Sequence, residues 1–249
     1  MLYVKEKFES ICGEGFQMGM PALFVRFAGC NLNCSWCDED WGFNNHVKKI
    51  NLFRLEDEIN HYKGFGSISH ESANIVLTGG EPFNQNYRSL SRLLKNFSHA
   101  GVEKIIIETN GMKQPTGELG LTIAELKDMI DIVISPKPPS AFKHKPILEM
   151  ASMITEVNDT IQVWKDEFDY GNIYWKFVVD GSSYDMVWLD SVLSEYLNCC
   201  DDRISIQAVD NDPEITEGIV EFINLINKNE GFNADLRMVP QVHKYMNMR

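Results

Sequence analysis

The sequence of 249 residues has no run of about 18 apolar residues, the length a helix needs to cross a bilayer core. Its first ten residues, MLYVKEKFES, carry charge where a secretory signal carries an apolar stretch, so a soluble, cytoplasmic protein is expected. Basic residues are scarce. Against 36 Asp and Glu stand 23 Lys and Arg, a net charge of -13, and no run of Lys or Arg exceeds the pair Lys48-Lys49. Such a surface repels phosphate backbones and disfavours a polynucleotide partner. Repeats and low-complexity tracts are absent. Cysteines number six, too few in a chain of this length for a disulfide framework, and their clustering points to a reducing compartment.

Three of those cysteines carry the strongest signal. Cys30, Cys34 and Cys37 fall within AGCNLNCSWCD, a spacing of three then two residues with Trp36 before the last thiol. Structural zinc sites take four protein ligands, usually as two separated pairs, and three thiolates from one short turn do not fit that pattern. A four-iron cluster held by three thiolates keeps one iron open to an external molecule. The leftover Cys12, Cys199 and Cys200 read as small buried or incidental thiols.

With 44% hydrophobic residues, the chain can bury one large α/β core, and a single domain over 1–249 is expected. Short β-branched runs at 23–27, 74–77, 104–108, 132–134, 174–179 and 204–208 alternate with helical periodicity at 52–61, 87–99, 122–129, 146–156, 184–197 and 215–229. The alternation predicts an α/β fold with about six mostly parallel core strands, a partial β/α barrel rather than a closed eight-fold one. In a parallel sheet the carboxyl ends of the strands share one edge. The unusual segments fall there: the cysteine loop, Thr78-Gly79-Gly80-Glu81-Pro82, ETNG, SPKPPS, and Gln207-Ala208-Val209-Asp210.

These residues resemble a known family. Cys30, Cys34 and Cys37 match the CxxxCxxC signature of the radical S-adenosylmethionine superfamily, and Gly79 to Pro82 match its Gly-Gly-Glu-Pro motif. More narrowly, FESICGEG, FVRFAGCNLNCSWCD, TGGEPFNQ, ETNG, ISPKPPS and LRMVPQVHKYM are similar to the 7-carboxy-7-deazaguanine synthase family, from Phe8 to about Met246. The resemblance implies a lyase that contracts the ring of 6-carboxy-5,6,7,8-tetrahydropterin with loss of ammonia, using a 4Fe-4S cluster, S-adenosylmethionine and magnesium. A small-molecule substrate, a flavodoxin-like electron donor and a homodimer are implied as well.

The resemblance assigns Cys30, Cys34 and Cys37 to the cluster. It assigns Trp36, Asp38, Gly79, Gly80, Glu81, Ser135, Pro136, Lys137 and Gln207, Ala208, Val209 and Asp210 to S-adenosylmethionine. Gly79 and Gly80 would let the backbone approach that ligand, since neither has a Cβ. Ile11, Cys12, Gly13, Arg26 and Thr78 are implied to line the pterin site, with His243 and Gln241 closing it. The guanidinium of Arg26 suits a carboxylate, and Glu14 suits an aminopyrimidine edge. Two positions depart from the family. Glu39 stands where a hydroxyl residue usually meets magnesium, and Cys12 replaces a glutamine. Each motif also has an ordinary reading: GGEP as a tight turn, Arg26 as an edge residue, His243 as an exposed tail. A glycyl-radical activating enzyme, which shares CxxxCxxC, and a cluster-binding regulator without turnover are the alternative functions.

Overall fold

The computed structural model describes residues 1–37, 47–50, 54–55, 74–167, 172–228 and 231–246. The expected helix at 52–61 lies outside them except for Arg54 and Leu55, the latter fully buried.

In chain order the elements are β1 (Leu2–Ile11), β2 (Pro21–Phe27), β3 (Lys48–Ile50), β4 (Asn74–Gly79), α1 (Tyr87–His99), β5 (Lys104–Thr109), α2 (Gly117–Glu125), β6 (Ile130–Ile134), α3 (Ile147–Glu167), β7 (Asn172–Val179), α4 (Ser183–Glu195), β8 (Arg203–Ala208), α5 (Pro213–Ile226), β9 (Asp235–Met238) and α6 (Val242–Tyr245). They build one nine-stranded sheet in the order β3-β1-β2-β4-β5-β6-β7-β8-β9. From β2 through β9 along that order every pairing is parallel. β1 runs antiparallel to both β2 and β3.

Among the described residues the parallel strands number seven, against about six expected. β9 is a four-residue edge strand, Asp-Leu-Arg-Met, too short to announce itself by alternation. β1 also escapes a reading by hydrophobicity, because its last seven residues include only Phe8 and Ile11 as large apolar side chains. Helix α1 occupies the expected residues: Asn86 caps it by accepting from the Ser89 amide, and Leu90, Leu93, Leu94 and Phe97 face the core. α3 continues eleven residues beyond expectation, since Val157, Ile161 and Trp164 extend its buried stripe. α2 starts earlier, placing Leu119 and Ile123 inside.

The period of two along each strand gives the sheet two distinct faces. Ile75 and Leu77, Ile105 and Ile107, Ile132 and Ile134, Trp175 and Phe177, and Ile204 and Ile206 enter the main core beneath the helices. On the other face Ala22, Val76, Ile106 and Val133 form a small apolar layer with Cys12. Two residues farther along the same strands, that face turns polar: Thr78, Glu108 and Ser135, joined by Lys176 and Gln207 from β7 and β8. The sheet curls around this face. Glu14, just after β1, bonds to Lys176 on β7 and Gln207 on β8, which a flat sheet would hold many strands away. The curled sheet remains open, an incomplete barrel.

Candidate active site

A cavity of about 820 Å³ opens at the carboxyl ends of the parallel strands. That volume suits a small-molecule site. Cys30, Cys34 and Cys37 line one wall, and Thr78, Glu108, Lys176, Gln207 and Glu14 line the floor.

The cysteine loop is held from three directions. Leu32, Cys34 and Trp36 pack against the main core. The Ser35 amide donates to the Ala141 carbonyl at 2.8 Å, and the Trp36 indole donates to Ser140 Oγ at 3.0 Å. Ser140 in turn donates its amide and hydroxyl to Asp185 at 2.8 and 2.7 Å. Asp185 is fully buried at the start of α4, where it also accepts from the Asp180 amide. The proline-rich SPKPPS segment is thus a fixed strut that orients Trp36. Lys137, in the same segment, donates to Ser135 Oγ and lies 5.6 Å from the Trp36 ring.

The Gly-Gly-Glu-Pro turn packs against the backbone that enters the cysteine loop. A Cβ on Gly79 would strike the Phe27 backbone, and one on Gly80 would strike the Gly29 carbonyl. Both glycines border the cavity, but what they admit is the backbone leading into the cysteine loop. The Gly80 and Glu81 amides donate to the Phe27 and Gly29 carbonyls, both at 2.9 Å. Glu81 does not reach the cavity. It is fully buried and accepts from the Phe83 amide (2.9 Å), Thr109 Oγ1 (2.8 Å) and the Asn110 amide (2.8 Å), which ties this turn to ETNG. Burial raises its carboxyl above the usual range against the pull of those donors. Asn110 then offers its side-chain amide to Asn31 Oδ1 at 2.9 Å and to Cys30 Sγ at 3.7 Å.

The three thiols suit a cluster. None of the six cysteines is disulfide-bonded. Among the described residues no three His, Cys, Asp or Glu side chains are grouped so as to hold a single metal ion. A four-iron cluster asks something else: soft thiolates that each meet a different iron, with hydrogen-bond donors at the sulfurs. The Leu32 amide and Asn110 supply such donors to Cys30. Burial raises the Cys30 and Cys34 thiols, and the charge of Lys137 pulls both back toward ionisation. Asp38 and the magnesium candidate Glu39 lie outside the described residues.

On the cavity floor Lys176 is buried between two carboxylates, 2.7 Å from Glu14 Oε2 and 3.2 Å from Glu108 Oε1. Thr78 Oγ1 donates to Glu108 Oε2 at 2.8 Å. Gln207 and Gln241 donate to Glu14 at 3.2 and 2.8 Å. Burial alone would raise the Glu14 carboxyl, but the charge and hydrogen bonds of Lys176, with Gln241, hold it down at about 2. The two carboxylates conversely raise Lys176 against the effect of its burial. Glu108 and Lys176 were not among the candidates drawn from the sequence. A signal for Lys176 existed: a lysine inside the apolar strand Tyr-Trp-Lys-Phe-Val has no reason to be there unless its face is polar.

The carboxyl-terminal segment covers one side. Asn211 and Gln241 exchange two hydrogen bonds, 3.0 and 2.7 Å, and the Val242 amide donates to the Gly13 carbonyl. His243 lies so close over Gly13 that any Cβ there would collide with its ring, and its Nε2 is 3.9 Å from Glu14 Oε1.

Several expected contacts stand apart from the cavity wall. Arg26 donates to Glu6 at 2.8 Å and lies over the Phe8 ring, on the strand beside Thr78 and level with it. Ile11, Cys12, Gly13, Pro136, Ala208 and His243 are not among the residues that line the cavity. Cys12 fills the small apolar layer, and its thiol is pushed up to about 12, chiefly by burial. Cys199 and Cys200 are exposed. Val209 and Asp210 do border the cavity, and Asp210 adopts a left-handed backbone with its carboxylate 2.8 Å from Lys244 Nζ.

The model of a 4Fe-4S single cluster domain matches residues 11–153. A 7-carboxy-7-deazaguanine synthase from Aquifex aeolicus is 27% identical over 253 aligned residues, spanning 100% of this chain and 95% of the relative. Its counterpart from Haemophilus influenzae is 34% identical over 142 residues, a stretch of 57% of this chain and 55% of the relative. Among solved structures, QueE from Escherichia coli superposes with a TM-score of 0.59 at 20% identity, over 97% of this chain and 94% of the other, a likeness of fold. The cysteine wall, the open barrel around it and these matches agree: the chain belongs to the 4Fe-4S single cluster domain family and is similar along its full length to the 7-carboxy-7-deazaguanine synthases.

Proposed function

We propose that the protein is a radical S-adenosylmethionine lyase that converts 6-carboxy-5,6,7,8-tetrahydropterin to 7-carboxy-7-deazaguanine and ammonia in 7-deazapurine biosynthesis. The observation that carries this reading is one cavity with three unbridged thiols on its wall and a hydrogen-bonding floor of Thr78, Glu108, Lys176, Glu14 and Gln207. A 4Fe-4S cluster held there by Cys30, Cys34 and Cys37 would supply the electron for reductive cleavage of a carbon-sulfur bond of S-adenosylmethionine, which starts radical chemistry.

The chain's own residues orient the reactants. Cys30, Cys34 and Cys37 hold the cluster. Trp36, fixed through Ser140, offers its ring face to the adenine, while Ser135, Lys137, Val209 and Asp210 border the same ligand. Glu14 and Thr78 take the pterin, and His243 and Gln241 shield that end from water. Arg26 takes the substrate carboxylate in exchange for Glu6, since it sits level with Thr78 on the neighbouring strand. Magnesium at Glu39, an electron from a flavodoxin-like reductase, a single catalytic domain, a homodimer and a cytoplasmic location complete the reading. Among the described residues no helix is long and apolar enough to cross a membrane.

The test is anaerobic turnover of the reconstituted, reduced protein with S-adenosylmethionine and 6-carboxytetrahydropterin, with and without magnesium, followed by mass spectrometry. Formation of 5'-deoxyadenosine and 7-carboxy-7-deazaguanine, both abolished in Cys34→Ala, is the expected result. Deoxyadenosine alone would move the protein to another substrate.

A further inference from the structure

Lys176 is an expensive residue to bury. It sits mid-strand on β7, flanked by Trp175 and Phe177 that face the main core, with a side chain 8% exposed. Apolar side chains of similar volume usually stabilise a fold as well as a buried ion pair does, so stability alone gives little reason for a lysine here. Its partners come from distant parts of the chain: Glu14 after β1 and Glu108 on β5, with Thr78 on β4 behind Glu108. All four border the cavity. The cluster is rich in acceptors and short of donors. One cation serves two carboxylates, and with the amide N–H groups of Gln207 and Gln241 turned to Glu14, the buried oxygens Gln207 Oε1 and Gln241 Oε1 have no hydrogen-bond partner among the described residues. An edge of N–H donors on a ligand would complete it.

We infer that Lys176 is a positioning residue of the substrate site: clamped between Glu14 and Glu108, it holds the two carboxylates as anionic acceptors for the N–H edge of an aminopyrimidinone ring. This rests on the pterin reading above and extends it to a residue that touches the ligand only through its partners. Without Lys176, Glu14 faces Glu108 across the cavity floor with Gln207, Gln241 and His243 beside it and Cys12 nearby. Its charge is then opposed by burial and by a like charge, and a proton becomes the alternative counter-ion.

The test is equilibrium dialysis of the cluster-loaded protein against 6-carboxypterin, a stable oxidised analogue with the same ring edge and carboxylate, across the neutral pH range. The wild-type protein and Lys176→Met are compared. Lys176→Met is expected to bind at least about ten-fold more weakly. It should also acquire a pH dependence the wild type lacks, losing affinity as pH falls and the carboxylates protonate. A purely structural lysine would change the melting temperature without creating that pH dependence. Should Lys176→Met fail to fold, Lys176→Arg and Glu108→Gln carry the test, each expected to weaken binding several-fold at unchanged pH dependence. Unchanged affinity in the folded variants overturns the inference. Absence of binding by the wild type overturns the pterin reading, and this inference with it.

Discussion

Replacing Glu81 should destabilise the protein more than replacing any cavity-lining residue of the same turn. The carboxylate is fully buried and accepts three hydrogen bonds, two of them from backbone amides that have no other partner among the described residues. Glu81→Ala leaves the Phe83 and Asn110 amides unpaired, at about 1–3 kcal/mol each, while Thr109 Oγ1 still accepts from the Gly111 amide. The expected loss is therefore about 4 kcal/mol, a large part of the roughly 5–15 kcal/mol that holds a typical domain together. Glu81→Gln keeps an oxygen able to serve Phe83 and Thr109 but turns an NH₂ toward the Asn110 amide, so its loss should be about 2 kcal/mol. Urea unfolding of the cluster-free proteins, followed by circular dichroism, measures both. A deficit below about 1 kcal/mol for the alanine variant, or a glutamine variant less stable than the alanine one, would refute the reasoning. The functional echo is specific: Asn110 also holds Asn31 and Cys30, so the alanine variant should bind iron and sulfide poorly even under conditions where it is folded.

Gly80→Ala drives a methyl group into the Gly29 carbonyl and close to the Cys30 amide, so iron and sulfide content after reconstitution should fall sharply, with a stability loss of about 1–3 kcal/mol by thermal melting. Asp185→Ala removes the acceptor that fixes Ser140 and, through it, Trp36; tryptophan fluorescence should shift and S-adenosylmethionine affinity drop several-fold, whereas an unchanged affinity would detach the strut from the site. Glu14 has a folded-state value below its ordinary 4.5, so its contribution is fully present above that pH and is lost as pH falls toward about 2. Acid unfolding of Glu14→Gln should accordingly be less steep than that of the wild type between those limits, the difference reaching at most about 3 kcal/mol. In the folded, cluster-free protein the exposed Cys37, Cys199 and Cys200 should be alkylated first and Cys12 last, as exposure and a thiol raised to about 12 dictate; timed labelling with peptide mass spectrometry reads the order.

How far the sequence reaches into this molecule depends on the range of the interactions that decide each feature. The α/β alternation, helix α1 and the cysteine loop are local: period-two apolar runs, the Asn86 cap and three thiols within eight residues are written in neighbouring positions. Strands β1 and β9 were not legible, since β1 is mostly polar over its last seven residues and the four-residue edge strand β9 is too short to show an alternation, so both are fixed by their neighbours in the sheet. The Gly-Gly-Glu-Pro motif was visible as a motif, but the roles of its parts were not. Whether a glycine admits a ligand or another strand's backbone, and whether a glutamate faces a cavity or knits two turns, depends on what lies across the sheet edge. Arg26 is the same case, its guanidinium taken by Glu6 on the antiparallel neighbour.

The chemistry of the wall and the polarity of the chain followed from the sequence alone, because ligand type and net charge belong to the residues themselves. The floor of the site was settled only by the tertiary structure. Glu14, Glu108 and Lys176 lie 94 and 68 residues apart in succession, and only the curl of the sheet brings one buried cation between two carboxylates. No local pattern encodes that meeting, since the cost of burying each charge is offset by opposite charges and hydrogen bonds from residues far along the chain.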